Sequence, residues 1–277
     1  MSTTSSGSGA VAPVARPEAT GTERWVGAWR AGEMALWFVG FLVAWEMLVW
    51  LSGVSDLLLP APSQFLTRIF TSWPNIAPHA WITLQLVFVG FLAGALPAVP
   101  LGFAIFAVPL LQRTLYPFLV FLNVIPKVAL VPLLLVWFGF GAIPKVVVAG
   151  LLVFFPIMIN SITGFSALHP NLLHITRSMG ASRWQTLWYL RLPTAVPFII
   201  SGMKISTVLA VTVVIVAEFV GSNDGLGYLI LRAVANHDLP LAFAALFVAG
   251  LIGLALSLLG DLLERAVARR WSPGETP

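Results

Sequence analysis

The chain contains no cysteine, which excludes disulfides, thiolate metal sites and cysteine nucleophiles. Charge is also scarce: 9% of residues are Asp, Glu, Lys or Arg, against about 25% in soluble globular proteins. No G-x-x-x-x-G-K-[ST] phosphate loop is present, so a nucleotide site of that kind is absent. The four histidines, His79, His169, His174 and His237, lack metal-ligand spacing. His169 and His174 stand five apart, not the four that would place them on one helical face, and read as surface residues. No Ser-His-Asp arrangement is suggested. These absences give a catalytic or metal site little support, and no cofactor is expected on this chain.

What the chain has in abundance is apolar surface. Of its 277 residues, 58% are hydrophobic, and mean hydropathy is +0.93. That composition is a multi-span membrane protein, with lipid as its principal environment. Eleven tryptophans suit a protein with two lipid interfaces, where indole rings anchor. The net charge of +4 is small. Basic residues near span ends report orientation before they report nucleic acid, and no nucleic-acid partner is expected.

Residues 1–22 are rich in Ser, Thr, Gly, Ala and Pro and predict a disordered tail. The first apolar run starts near Met34, and no small-x-small cleavage site stands out, so no cleaved signal is expected. We divide the chain into an N-terminal tail at 1–30, a transmembrane domain at 31–265 and a C-terminal tail at 266–277. Six spans are predicted, at roughly 34–52, 81–107, 115–138, 144–164, 196–219 and 240–260, each close to or past the ~20 residues that cross the hydrocarbon. Glu46 lies inside the first, and an intramembrane carboxylate is costly enough to count as a functional candidate; the alternative is a paired or interfacial side chain. Between the first two spans, Ser63-Gln64-Phe65-Leu66 predicts a short amphipathic helix capped by Ser63. Gly90, Gly94 and Gly102 are spaced for close helix packing. The third span is interrupted by Pro117, Pro126 and Pro132, with Asn123 and Lys127 between them. The fourth holds Pro156 and Asn160, and the fifth ends at Glu218 before a polar turn with Ser222, Asn223, Asp224, Gly225 and Gly227. No internal repeat is evident.

With the N-terminus placed in the cytoplasm, the inside holds Arg16, Arg24, Arg30, Arg113, Arg177, Arg183, Arg191, Arg265, Arg269 and Arg270. The outside holds Arg68 and Arg232, with Lys145 at a border. This bias predicts cytoplasmic termini and a cytoplasmic loop at 168–202. Were the proline-rich third span re-entrant, the count would change.

That loop is the longest interior break in the apolar pattern. Pro170 is placed to start a helix, since its missing N–H costs nothing in the first turn. Leu172, Ile175 and Met179 fall at i, i+3 and i+7 and make one apolar stripe. His169, His174, Arg177 and Arg183 supply polar and basic surface, and Gly180 ends the helix. A second segment, Ser182 to Leu190, is expected to stop at Pro193, with Pro197 opening the fifth span. Such a helix either lies on the lipid interface or docks a partner subunit.

Gly180, Leu190, Leu192 and Pro193 fit the spacing G-x9-I-x-L-P, with Leu190 in place of Ile. That pattern resembles the cytoplasmic loop signature of ATP-binding-cassette importer permeases. The run Asn123 to Gly139, NVIPKVALVPLLLVWFG, together with Gly180-Ala-Ser, Leu192-Pro, Gly202, Ala217-Glu-Phe-Val-Gly-Ser and Gly225-Leu-Gly, resembles permeases of the nitrate, sulfonate and taurine group. The similarity runs from about Leu59 into the sixth span. One departure is visible: the signature usually opens Glu-Ala-Ala, and His174, Ile175 and Thr176 stand there.

The resemblance implies an all-α transmembrane fold of the MetI-like, type I importer class. It also implies a cytoplasmic coupling helix between the fourth and fifth spans. Such a chain would sit in a bacterial inner membrane as a homodimer, with the pathway for a small, often anionic solute between the copies. Nitrate, a sulfonate, taurine or a vitamin precursor are the group's solutes. A separate ATPase, holding ATP and magnesium, would bind the helix carrying Pro170, Leu172, Ile175, Arg177, Met179 and Gly180, with Leu192 and Pro193 completing the signature. A periplasmic or lipoprotein binding protein would deliver the solute. Asn123, Lys127, Asn160 and Glu218 are the candidate pathway residues. Lys127 either pairs internally or attracts an anion, Asn123 sharing its helical face. Glu218 either meets solute or anchors the 221–227 turn, and Asn160 either packs helices or lines the pathway. Two rivals are a self-contained secondary transporter, and a membrane-embedded enzyme or assembly factor built on Glu46, Lys127 and Glu218.

Overall fold

The computed structural model describes residues 22–55 and 58–271. Among them the chain is helical with no strand. Residues 1–21 and 272–277, most of the two tails, lie outside the described residues. The chain divides between Gly53 and Val54 into two compact units. The first contributes α1 (Thr22–Ser52), which begins well ahead of Met34 and carries the apolar stretch Leu36–Ser52. Trp37, Phe41 and Trp50 are exposed on it, and Glu46 is half-buried.

The second unit holds the bundle. It opens with α2 (Pro62–Thr71), whose N-cap is Ala61 and not Ser63. Pro62 occupies the first helical position and sets the cap two residues back from Ser63; the Ala61 N–H then donates to Gln64 Oε1 at 3.1 Å. Phe65 buries this helix against Phe247, with ring centroids 5.6 Å apart. Next, α3 (Trp73–Ala107) starts earlier than expected and runs unbroken through Pro78, Pro97 and Pro100. The chain continues as α4 (Pro109–Val124), a 3-10 turn (Lys127–Leu130) and α5 (Val131–Phe138), then α6 (Ala142–Ser166). The loop carries α7 (Pro170–Ser178); α8 (Arg183–Thr186), a π turn (Leu187–Arg191) and α9 (Leu192–Gly221) follow as one continuous helix. The amphipathic α10 (Leu226–Ala235) and the long α11 (Leu239–Trp271) complete the unit.

Among the described residues, four helices are long and apolar enough to cross a membrane: α3, α6, the continuous Arg183–Gly221 and Leu239–Val267 of α11. The pair α4 and Lys127–Phe138 passes together but bends by 79°. Whether that pair crosses or turns back follows from its neighbours. A Cβ on Gly90 would meet Ala149, one on Gly94 would meet Gly150, and one on Gly102 would meet Ser161. Positions rise together on α3 and α6, so the two helices run parallel. The chain joining parallel neighbours must return to the opposite end, and the bent pair is therefore a broken crossing.

The same contacts explain how the bundle coheres. Lipid offers no hydrophobic drive for helix association, so close backbone approach and van der Waals contact carry it. At Gly94 a Cβ would lie 2.4 Å from the Gly150 carbonyl oxygen, which only a missing side chain permits. Ile105, Val148, Val153, Ile157, Met158, Val213 and Val214 fill the centre, fully buried among α3, α6 and α9.

Pro193 does not stop the helix it was expected to stop. A regular α-helix would press its ring on the carbonyl of Tyr189. The helix widens instead, with the Leu192 N–H donating to the Leu187 carbonyl across a π turn.

Candidate functional site

Two places in the bundle hold functional candidates: the loop end, where α7 lies, and the polar interior toward the far end, where α10 lies.

At the loop end, Pro170 is the first residue of α7, and His169 Nδ1 accepts from the Asn171 N–H at 3.3 Å. The helix stops at Ser178, and Gly180 follows with φ +77, a conformation that favours glycine. No residue of α7 is buried. Leu172, Ile175 and Met179 are exposed, Met179 by 80%, so the stripe has no cover within the described residues. Arg177 is exposed beside it. Leu192 and Pro193 are only half-buried and sit apart from that surface, Leu192 packing against Phe165, Ala195 and Ile199. Trp184, Trp188 and Tyr189 are exposed on the helix that follows α7 in the chain and were not singled out from the sequence; the i, i+4 tryptophans were their signal.

In the interior, Asn123 and Lys127 meet at the break in the fold. Lys127 is 8% exposed, and its Nζ donates to the Asn123 backbone oxygen at 2.7 Å and to Oδ1 at 3.1 Å. The ammonium lies 4.6 Å from the centre of the Phe155 ring. Because Pro126 interrupts the helix, the last carbonyls of α4 lack backbone partners, and a cation there is doubly favoured. Asn123 itself is exposed. Asn160 lies elsewhere, at the contact of α6 with α9, where its Nδ2 donates to the Pro156 carbonyl at 2.8 Å.

Glu218 is 1% exposed and separate from both. Its Oε2 accepts from the Gly227 N–H at 2.7 Å, and Thr83 Oγ1 donates to its Oε1 at 2.8 Å. Thr83 in turn accepts from the Leu226 N–H at 2.8 Å. The first N–H groups of α10 have no partners within their own helix, and these two side chains from α9 and α3 cap them. His79 Nδ1 extends the arrangement by accepting from the Gly225 N–H at 3.1 Å. Gly225 has φ +99, and a Cβ there would lie 2.1 Å from Glu218 Oε1. Lys145 closes the cluster with a 2.5 Å bond to Ser222 Oγ. Thr83 and His79 were not anticipated, because nothing local marks an uncharged partner 135 residues from Glu218. Lys204, paired with Asp261 and 3.5 Å from Glu264, was likewise missed.

No group of three or more metal-binding side chains occurs among the described residues. The polar interior is spent on helix ends and turns, and the exposed chemistry concentrates on a small helix outside the bundle. Fold and site together define a multi-pass helical membrane protein with a small exposed helix, α7, between two of its spans.

Comparison with known proteins identifies its kind. Residues 87–273 match the family described as binding-protein-dependent transport system inner membrane component. The riboflavin transport system permease protein RibX of Chloroflexus aurantiacus is 35% identical over 243 residues, covering 87% of this chain and 91% of that protein. The formylaminopyrimidine transport permease protein ThiX of Halalkalibacterium halodurans is 32% identical over 228 residues, covering 82% and 91%. The taurine transport system permease protein TauC of Escherichia coli is 28% identical over 239 residues, covering 84% and 86%. Among solved structures, an inward-facing MetNI methionine ABC transporter aligns at TM-score 0.59 and 21% identity, over 68% of this chain and 93% of that one, a likeness of fold. The chain belongs to the binding-protein-dependent transport system inner membrane component family. It is an inner-membrane permease of the ATP-binding-cassette importer type, as the loop signature implied.

Proposed function

We propose that two copies of this chain form the translocation pathway of an importer, and that a cytoplasmic ATPase drives it by docking on α7. The observation that carries this is the apolar stripe of Leu172, Ile175 and Met179, exposed on a helix with no buried residue. An apolar face on a helix tied to the bundle only through its ends suits a partner better than it suits water. The bias of basic residues supports a cytoplasmic loop end, with Arg113, Arg177, Arg183, Arg191 and Arg265 there and Arg68, Lys145 and Arg232 toward the other end. ATP and magnesium then belong to the ATPase, and a binding protein delivers solute at the far end, where α2 and α10 lie.

Within the bundle, the hydrogen bonds favour different roles for the four polar candidates. Asn123, exposed at the break, faces the pathway, and Lys127 orients its amide. Asn160 serves the packing of α6 on α9. Glu218 holds α10 and the 221–227 turn. The solute is small; relatives carry riboflavin, formylaminopyrimidine or taurine in their names. The cognate binding protein's ligand names it. The test is uptake by the purified chain in proteoliposomes. Transport should require the ATPase and ATP; a tagged chain that purifies alone and still drives uptake without ATP overturns the proposal.

A further inference from the structure

Docking on α7 accounts for where force enters the permease. It leaves open how a helix with no buried residue passes that force on. Three short residues of chain, Ala167 to His169, join α7 to α6, and Met179 to Ser182 join it to α8. One of these routes leads straight into the π turn at Leu187–Arg191, the widest and least regular stretch of the long helix. A push on α7 is delivered to the bundle only if its two legs stay together and the π turn does not yield.

One side chain spans both legs. Arg191, the last residue of the π turn, donates from Nη1 to the Phe165 carbonyl at 2.8 Å. Phe165 lies in the last turn of α6, where carbonyls lack helical partners and the helix dipole favours a cation. The same guanidinium lies 4.6 Å from the centre of the Phe106 ring, in the last turn of α3. Phe106 stacks on Phe165 at 5.8 Å, and Phe103 meets Phe165 edge-on at 5.2 Å. One cation thus ties the ends of α3 and α6 to the start of α9. Beneath it, a Cβ on Gly164 would lie 2.9 Å from Ala195, so the two legs already touch.

We infer that Arg191 is the positioning residue that couples the ATPase-docking loop to the bundle, clamping the π turn to the ends of α6 and α3. The inference rests on the proposed docking at α7 and adds the element that makes that docking productive. Arg191 touches neither solute nor ATPase in this assignment; it fixes the geometry through which one acts on the other.

The experiment uses the assembled complex of permease, ATPase and binding protein in proteoliposomes, and reads solute transported per ATP hydrolysed. Arg191→Met removes the hydrogen bond and the cation while keeping the stem. Arg191→Lys keeps a cation on a shorter stem, able to meet the carbonyl or the ring. Phe106→Leu removes the stack alone and leaves the hydrogen bond. In Arg191→Met, ATP hydrolysis should persist while transport per ATP falls by roughly tenfold, the scale of a coupling term. Arg191→Lys and Phe106→Leu, which each keep part of the clamp, should fall between Arg191→Met and the native chain. A purely structural role would lower transport and hydrolysis together and leave their ratio alone. An unchanged ratio in Arg191→Met overturns the clamp; should that variant fail to assemble, an unchanged ratio in Phe106→Leu does the same. If the native chain never captures the ATPase, the docking proposal fails instead, and the two failures are told apart by co-purification.

Discussion

Replacing Thr83 by valine tests the cap that two distant helices place on α10. Valine keeps the shape of threonine and exchanges its hydroxyl for a methyl group, so no cavity enters the cost. What disappears is one donor to Glu218, at 2.8 Å, and one acceptor for the Leu226 N–H, also at 2.8 Å. Thr83 and Glu218 are both essentially without solvent exposure, so no water replaces either bond. A buried polar group left without its partner costs about 1–3 kcal/mol, which puts the loss at roughly 3 kcal/mol for the two together. In a domain of this size each kcal/mol moves the melting temperature by about 2–4 °C, so the expected fall is about 6–12 °C. Tryptophan fluorescence of the detergent-purified protein reads it directly. A second cycle with Glu218→Leu isolates the pair: groups in one network should couple by at least ~0.5 kcal/mol. A shift below about 2 °C, or full additivity of the two substitutions, would refute the reasoning.

Other perturbations follow from the same contacts. Gly94→Ala drives a Cβ to within 2.4 Å of the Gly150 carbonyl and should cost about 1–3 kcal/mol through overpacking, seen as a lower melting temperature and less protein in the membrane. Lys127→Met leaves the last turn of α4 without its cation; uptake and thermal stability should fall together, and Lys127→Arg should retain both, with unchanged uptake and expression in the methionine variant counting against any role. Gly180→Val forces a β-branched residue to φ +77, at a cost of at least about 1–2 kcal/mol, and should separate ATP hydrolysis from uptake while the protein still reaches the membrane. Normal uptake by that variant would sink the docking geometry.

How far these sites were legible depends on how local their signals are. The helix α7 was readable because Pro170, the stripe of Leu172, Ile175 and Met179, and Gly180 all act within one short stretch. Lys127 and Asn123 were read as a pair on one helical face; they do meet, but across the break at Pro126 between α4 and the 3-10 turn. Glu218 and Gly227 lie nine residues apart, and the turn between them was visible as a cluster of Ser, Asn, Asp and Gly. The partners that escaped come from other helices. Thr83 reaches Glu218, Phe106 reaches Arg191 and Asp261 reaches Lys204 only through the packing of α3, α9 and α11, and no spacing in one sequence records a packing of that kind. Pro193 misled for a different reason. Proline ends a regular α-helix through its ring clash and missing N–H, and here the π turn just before it absorbs both, an accommodation that no residue spacing announces.

That π turn also keeps whole a helix that touches both ends of the bundle. The helix from Arg183 to Gly221 spans 39 residues, about 58 Å at the α-helical rise. Arg191 ties its first part to the last turns of α6 and α3, and Glu218 ties its last turn to α10 and, through Thr83, to α3. Between the two, Ser206 donates to the Val153 carbonyl at 3.1 Å and Gly202 packs on the backbone of Ile157, so α6 follows α9 along its length. Had Pro193 opened a true break, the loop and the far end would have belonged to separate rods, and a force on α7 would have stopped at the break. A π turn keeps the backbone continuous while adding one point of compliance, and the one half-buried cation of that turn, Arg191, is spent on stiffening it. On the proposed route of force, the cheapest place to uncouple this permease is therefore the π turn, which lies outside both the exposed stripe of α7 and the polar interior.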